Sequence, residues 1–295
     1  LLMVDGGNVN FEKLFDGIPM IWPTFLNTPP SESNAKQCKV WIIPVPYEAT
    51  ESISGGSRLA PRTIIEASKA LEDFDIELAH DISKVGICTL PEIESAINSP
   101  EAMIRRVEKI TRIAIDMGKL PILIGGEHTI ALGSIEAAKD VWDDLTVLYL
   151  DAHADMRSTF MGGRFGHATV ARRVYENSKM IHVGLRSASD IEYKFIEKEN
   201  ILNYPSPPIG CYTSTDIENI CDNLTQHVYI SLDFDVLDPS VIPATGTPEP
   251  GGLSWAGITS LLREICCSKT IVGMDFVELS PNLGPEYSAH VAAKL

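Results

Sequence analysis

The sequence predicts an α/β fold, a three-layer α/β/α arrangement around a central, mostly parallel sheet. Three observations predict it. Short apolar runs without polar alternation recur along the chain, as they do in strands buried on both faces. Segments with helical spacing separate them. With 295 residues, 44% hydrophobic and 22% charged, the chain can bury a large core. No internal repeat, low-complexity stretch or linker divides it. One domain is therefore expected over residues 36–295, preceded by an N-terminal arm at residues 1–35.

The arm carries Pro23, Pro29, Pro30 and a polar SESN stretch, and is expected to pack over the body or a neighbouring subunit. Val40 to Val45 is a buried strand. Ser52 to Arg62, with Gly55 and Gly56, reads as a loop, and Pro61 suits the first turn of the next helix. Ser99-Pro100-Glu101 is a helix start: a capping hydroxyl, a proline at the first position, an acid in the first turn. Met103, Ile104, Val107, Ile110, Ala114 and Met117 follow at helical spacing, and Gly118 closes the helix. Pro121 to Ile124 is a strand, with a helix after His128. Leu145 to Leu150, Met180 to Leu185 and Val228 to Leu232 are further strands. Ser254 caps a helix through Ile258, Leu261, Leu262 and Ile265, and Thr270 to Phe276 is the last strand.

Composition narrows the function. Lys plus Arg is 24 against 40 Asp plus Glu, a net charge of −16, which disfavours nucleic-acid binding. The same charge suits a cationic substrate. The six cysteines form no CxxC pair, so free thiols in a reducing compartment are expected rather than a thiolate zinc site. No apolar run approaches the ~20 residues of a membrane helix. The opening LLMVDGGNVNFEKLFD lacks a basic region and a cleavage site, so a soluble, cytoplasmic protein is expected.

Three segments share one design, an apolar strand ending in metal-ligand side chains. They are PILIGGEH, ending at His128; LTVLYLDAHAD, with Asp151, His153 and Asp155; and HVYISLDFD, with Asp233 and Asp235. In parallel α/β sheets, ligands bind beyond the carboxyl ends of the strands. Side chains at i and i+2 of an extended chain point the same way, so each cluster can converge. Four carboxylates and two imidazoles exceed what one cation needs and match two divalent ions. Oxygen-rich ligands with some imidazole and no thiolate suit manganese. Such a pair lowers the pKa of a shared water.

The motifs GGEHTI, DAHADMR and SLDFDVLDPSVIPATGTPEPGG resemble those of the ureohydrolase (arginase/agmatinase) family, as does PVPYEATESISGGSRLAPRTIIEAS. The resemblance runs from about Pro44 to Leu295. It implies an arginase-like fold, two Mn2+ per chain, and hydrolysis of a guanidino group to urea and an amine by a metal-bridging hydroxide. By that resemblance, His128 and Asp155 serve one ion, His153 and Asp235 the other, and Asp151 and Asp233 bridge them. Asp155 also carries a proton to the departing nitrogen. Glu278, in GMDFVELSP, orients the cationic guanidinium, and His167 is a non-ligand proton shuttle. The family often has Ser before that histidine, where this chain has Gly166. Glu127 is expected to support the ligands rather than join them. Thr245 and Gly246 are expected at the pocket rim, and His80, His182, His227 and His290 in structural places.

The loop MRSTFMGGRFG lacks the SGN-type sequence with which arginases hold an α-carboxylate, and resembles the agmatinase pattern. Agmatine, cleaved to putrescine and urea, is the expected substrate. Guanidinobutyrase, proclavaminate amidinohydrolase and arginase are the alternatives. Arg157 or Arg164 facing the pocket would favour a carboxylate-bearing substrate. From other classes, a dimetal phosphoesterase lacks its GNHE-like motif here, and a non-catalytic binding protein would have lost ligands. The resemblance also implies a homo-oligomer, trimer or hexamer.

Overall fold

The computed structural model describes residues 23–28, 37–50 and 55–295. In chain order the strands are β1 (Val40–Val45), β2 (Phe74–Asp75), β3 (His80–Asp81), β4 (Ile87–Thr89), β5 (Leu120–Gly125), β6 (Thr146–Leu150), β7 (Lys179–Val183), β8 (Asn203–Tyr204), β9 (His227–Asp233) and β10 (Thr270–Val277). The helices are α1 (Ala60–Ser68), α2 (Pro100–Asp116), α3 (Ala131–Lys139), α4 (Val170–Asn177), α5 (Asp190–Lys198), α6 (Ser214–Asn223), α7 (Trp255–Ser268) and α8 (Tyr287–Lys294). Eight strands form one sheet in the order β4-β1-β5-β10-β9-β6-β7-β8, and each described pairing in it is parallel. The small pair β2–β3 stands apart and is antiparallel.

Both faces of the sheet are apolar because alternate residues serve different layers. Leu148 and Leu150 of β6 join Ile64 of α1, Ile258 and Leu261 of α7 and Ala289 of α8 in one core. Val147 and Tyr149 join Leu132 and Ile135 of α3 and Val170 and Val174 of α4 in the other. Trp41, Ile43 and Leu123 meet Met103 and Val107 of α2 on that same side. These are the three expected layers.

Local signals account for the element ends. Ser99 Oγ accepts the Ala102 N–H at 3.1 Å and caps α2, and Gly118 follows it at φ +69°. Ser254 Oγ does the same for α7 through Gly257. The loop expected through Arg62 ends sooner: α1 begins at Ala60, with Pro61 in its first turn. Residues 52–54 of that loop lie outside the described residues, as does most of the expected arm. Of the arm, residues 23–28 are described. There the Phe25 N–H donates to Thr89 Oγ1 and the Leu26 N–H to Ser68 Oγ, each at 2.9 Å, tying the segment to β4 and α1. Among the described residues no helix is long and apolar enough to cross a membrane.

Candidate metal centre

Four neighbouring strands, β5-β10-β9-β6, point their carboxyl ends at one place. His128 follows β5, Glu278 follows β10, Asp233 and Asp235 lie at the end of β9, and Asp151 to Asp155 follow β6. All six candidate ligands meet there. His128, Asp151 and Asp233 form one buried group able to hold an ion, and Asp151, His153 and Asp235 a second. Asp151 belongs to both. His128 Nδ1 lies 3.2 Å from Asp151 Oδ2 and 3.7 Å from both Asp155 Oδ2 and Asp233 Oδ2. His153 Nδ1 lies 2.7 Å from Asp235 Oδ2.

The convergence has a different cause from the one expected. Extended alternation does not run through the clusters. Asp155 sits at φ +48°, in the left-handed region, which turns its side chain back toward His128. Asp235 sits in a single turn of 3-10 helix, Phe234–Val236, capped by the preceding Asp233. The Asp235 N–H donates to Asp233 Oδ1 at 2.7 Å, and the His153 N–H to Asp151 Oδ1 at 2.6 Å. Turns thus orient one oxygen of each aspartate and leave the other to face the centre. Gly126 lets β5 end this close to its neighbour, since a Cβ there would lie 2.0 Å from the Tyr47 carbonyl.

The electrostatics are those of a cation site. Asp151, Asp233 and Asp235 are buried, and Asp151 Oδ2 makes no hydrogen bond despite the nearby His128. Burial, and then the neighbouring carboxylates, push Asp151 and Asp233 well above the usual range. Burial and Asp151 push Asp155 up to about 8. Asp235 moves the other way. Burial opposes its charge, but the hydrogen bond and charge of His153 outweigh that and lower it. His153 is correspondingly raised to about 10, its partner Asp235 overcoming the burial that would lower it. The donor set therefore fits divalent cations, which offset carboxylates that protons must otherwise neutralise.

A stability test follows. Carboxyls raised on folding contribute stability below their unfolded value, near 3.8, and lose it as pH rises through the folded value, about 8 for Asp155. Asp235 runs oppositely, and so, below about pH 6.5, do His128, His167 and His182, which burial lowers. From about pH 6.5 to about pH 8 the metal-free chain should therefore melt at progressively lower temperature. Added Mn2+ should raise the melting temperature more at the alkaline end. Melting curves with chelator and with Mn2+ across that range check both. A gap between the two that narrows with pH would contradict the site.

Glu278 and His167 line the same cavity, of about 230 Å³, with Asp151, His153, Asp155, Asp233 and Asp235. Glu278 sits at φ +66°, and its Oε1 accepts the His128 N–H at 2.6 Å. His167 is held by its N–H donating to Thr50 Oγ1 at 3.1 Å. Burial, then the charge of His128, lowers it to about 4, so it is a neutral base at pH 7. Glu127 carries that hold: its carboxylate accepts from Ala49 N–H, Thr50 N–H, Thr50 Oγ1 and Thr129 Oγ1 at 2.7–2.8 Å. Gly166 has a local reason too, because a Cβ would come within 3.0 Å of Thr50 Oγ1. Gly246 lines the cavity as expected, but Thr245 is buried and pairs with the Leu279 backbone; Thr247 takes its place at the rim. Arg157 lines the cavity, 3.7 Å from Glu192, whereas Arg164 pairs with Glu176 at 3.1 Å on an exposed side chain.

Several participants went unread in the sequence. Tyr149 stacks on His128 with ring centroids 4.6 Å apart and donates its O–H to Asp155 Oδ2 at 2.8 Å. Ser231 Oγ lies 2.9 Å from His128 Nε2 and donates to Asp275 Oδ1 at 2.9 Å. His182, expected to be structural, is buried with Nε2 3.2 Å from the Asp151 carbonyl. Strand alternation is the signal that finds them. Tyr149 lies two before Asp151, and Ser231 two before Asp233, on one sheet face.

A model of the arginase family matches residues 38–295. The chain belongs to the arginase family. Relatives of this arginase-family chain carry narrower names. It is 33% identical to the N(1)-aminopropylagmatine ureohydrolase of Thermus thermophilus over 88% of both chains. It is 30% identical to the agmatinase of Pyrococcus horikoshii, covering 86% of this chain and 88% of that one. The agmatine ureohydrolase of Thermoplasma volcanium superposes with a TM-score of 0.81 at 30% identity, over 90% of each chain. The arginase-family chain is thus an agmatinase-like ureohydrolase, an enzyme that hydrolyses guanidino groups.

Proposed function

We propose that this enzyme is a manganese-dependent ureohydrolase acting on an amine-terminated guanidine, agmatine first, releasing urea and putrescine. The observation that carries the reading is the pair of ion-holding groups sharing Asp151 on the wall of a cavity that Glu278 also lines. His128, Asp155, Asp151 and Asp233 would hold one ion, and Asp151, Asp233, His153 and Asp235 the other. When bound, two such ions supply a water acidic enough to attack at neutral pH. Glu278, outside both groups, orients the guanidinium by charge-assisted hydrogen bonds. Asp155, which accepts the Tyr149 O–H at 2.8 Å beside the ion site, carries a proton toward the departing amine. Neutral His167 accepts and returns protons at the cavity wall. The chain acts on its own substrate as a cytoplasmic homo-oligomer, trimer or hexamer, a state that sedimentation would report.

Urea release with Mn2+ tests the reading across agmatine, N(1)-aminopropylagmatine, arginine, guanidinobutyrate and a proclavaminate analogue. Agmatine or its aminopropyl derivative should give the highest kcat/KM. Preference for guanidinobutyrate would favour the second reading, for which Arg157 in the cavity is the specific observation. Glu192, 3.7 Å from Arg157, offsets its charge and supports the amine-terminated substrate instead. Arg157→Gln separates the two. On the first reading it leaves agmatine turnover within about threefold, as befits a half-exposed charge. On the second, guanidinobutyrate kcat/KM falls by about thirtyfold or more, as expected when a carboxylate loses its partner.

A further inference from the structure

An acid faces each ring nitrogen of His153. Nδ1 faces Asp235 Oδ2 at 2.7 Å, and Nε2 faces Glu249 Oε1 at 3.7 Å. Glu249 is itself fixed. Ser187 Oγ donates to Glu249 Oε1 at 3.0 Å, and the Ser187 main chain pairs with that of His153. Arg186 Nη2 donates to the Glu249 carbonyl at 2.7 Å and to the Asp235 carbonyl at 2.6 Å. One guanidinium therefore ties the loop bearing Glu249 to the turn bearing Asp235. His128 is backed differently, by the hydroxyl of Ser231.

We propose that Glu249 is a positioning residue for the His153 half of the metal centre. Its carboxylate favours the imidazole proton on Nε2 and so leaves the Nδ1 lone pair directed at the cation. At 3.7 Å it acts through its field rather than through a direct hydrogen bond. The proposal rests on His153 being a ligand, as set out under Proposed function.

Calorimetric Mn2+ titration of the metal-free chain, with metal content after dialysis, tests it in wild type, Glu249→Gln, Ser187→Ala and Asp235→Asn. Wild type should bind two ions in resolvable steps. Glu249→Gln should weaken one step about tenfold, the low end of the range for such partners because the side chain is 37% exposed. Asp235→Asn should weaken the same step. Activity of Glu249→Gln should return at saturating Mn2+ with KM for the guanidine unchanged. If Glu249→Gln does not fold, Ser187→Ala should show the same single-step loss at smaller size. Two unchanged steps, or two steps weakened alike, overturn the proposal. So does a raised KM with unchanged Mn2+ affinity, which would make Glu249 a substrate contact. A wild type that binds two ions and releases no urea fails the functional reading alone.

Discussion

Asp151→Asn should abolish ureohydrolase activity and at the same time make the metal-free chain more stable. The two effects have one cause. Asp151 is buried, belongs to both ion-holding groups, and burial with the nearby Asp235 pushes its carboxyl well above the usual range. In the metal-free chain its charge is a cost, since a buried anion with an oxygen lacking a hydrogen bond is poorly solvated. Asparagine keeps the shape, and its carbonyl oxygen can still accept the His153 N–H that Asp151 Oδ1 accepts at 2.6 Å. The metal-free variant should therefore melt a few degrees higher, the size of a shift expected for about 1–2 kcal/mol in a chain of this length. In the presence of Mn2+ the order reverses, because the charge now binds both cations. Retained metal should fall below two ions per chain. The kcat/KM should fall by about a thousandfold or more, the several kcal/mol that such cations contribute. Melting curves with chelator and with Mn2+, metal analysis after dialysis and urea release check the four expectations. A metal-free variant less stable than wild type would mean that Asp151 is a structural acid.

That reversal also explains which parts of the site were legible in the sequence. His128, Asp151, His153, Asp155, Asp233 and Asp235 stand out because acids and imidazoles directly after buried apolar strands have no reason in packing. The strands themselves were legible because each is apolar on both faces, as Leu148/Leu150 and Val147/Tyr149 show. The strand order was not. Local pattern cannot reveal that β10 inserts between β5 and β9, yet this places Glu278 among residues far from it in sequence. Nor do side-chain spacings reveal that Asp155 and Glu278 both take positive φ, a conformation uncommon outside glycine. Tyr149, Ser231 and Glu249 were missed for another reason. Their work is to hold other side chains, and such contacts depend on tertiary approach. The short helices α5 and α6 went unread too, although capping boxes at Ser189–Glu192 and Thr213–Asp216 mark their starts.

Glu278→Gln is expected to keep both ions and lose most turnover. The carboxylate lies outside both ion-holding groups but lines the same cavity, so its charge is available to a cation other than the metal. A guanidinium is such a cation, planar and able to donate two parallel hydrogen bonds. Glutamine retains the length, and its oxygen can still accept the His128 N–H that now donates to Glu278 Oε1 at 2.6 Å. The backbone at φ +66° is therefore no worse served than before. What is lost is the negative charge facing the substrate. Removing one partner of a buried charge pair costs about 2–5 kcal/mol, equivalent to roughly thirtyfold to a few thousandfold in kcat/KM. Because the guanidinium must be aligned for attack, the loss should fall on kcat as well as KM. A lower charge density near Asp233, whose carboxyl Glu278 helps to raise, should leave Mn2+ affinity equal or slightly weaker. Metal analysis and steady-state kinetics on one preparation decide the matter. Full turnover would remove Glu278 from the substrate, and loss of one ion would make it a ligand.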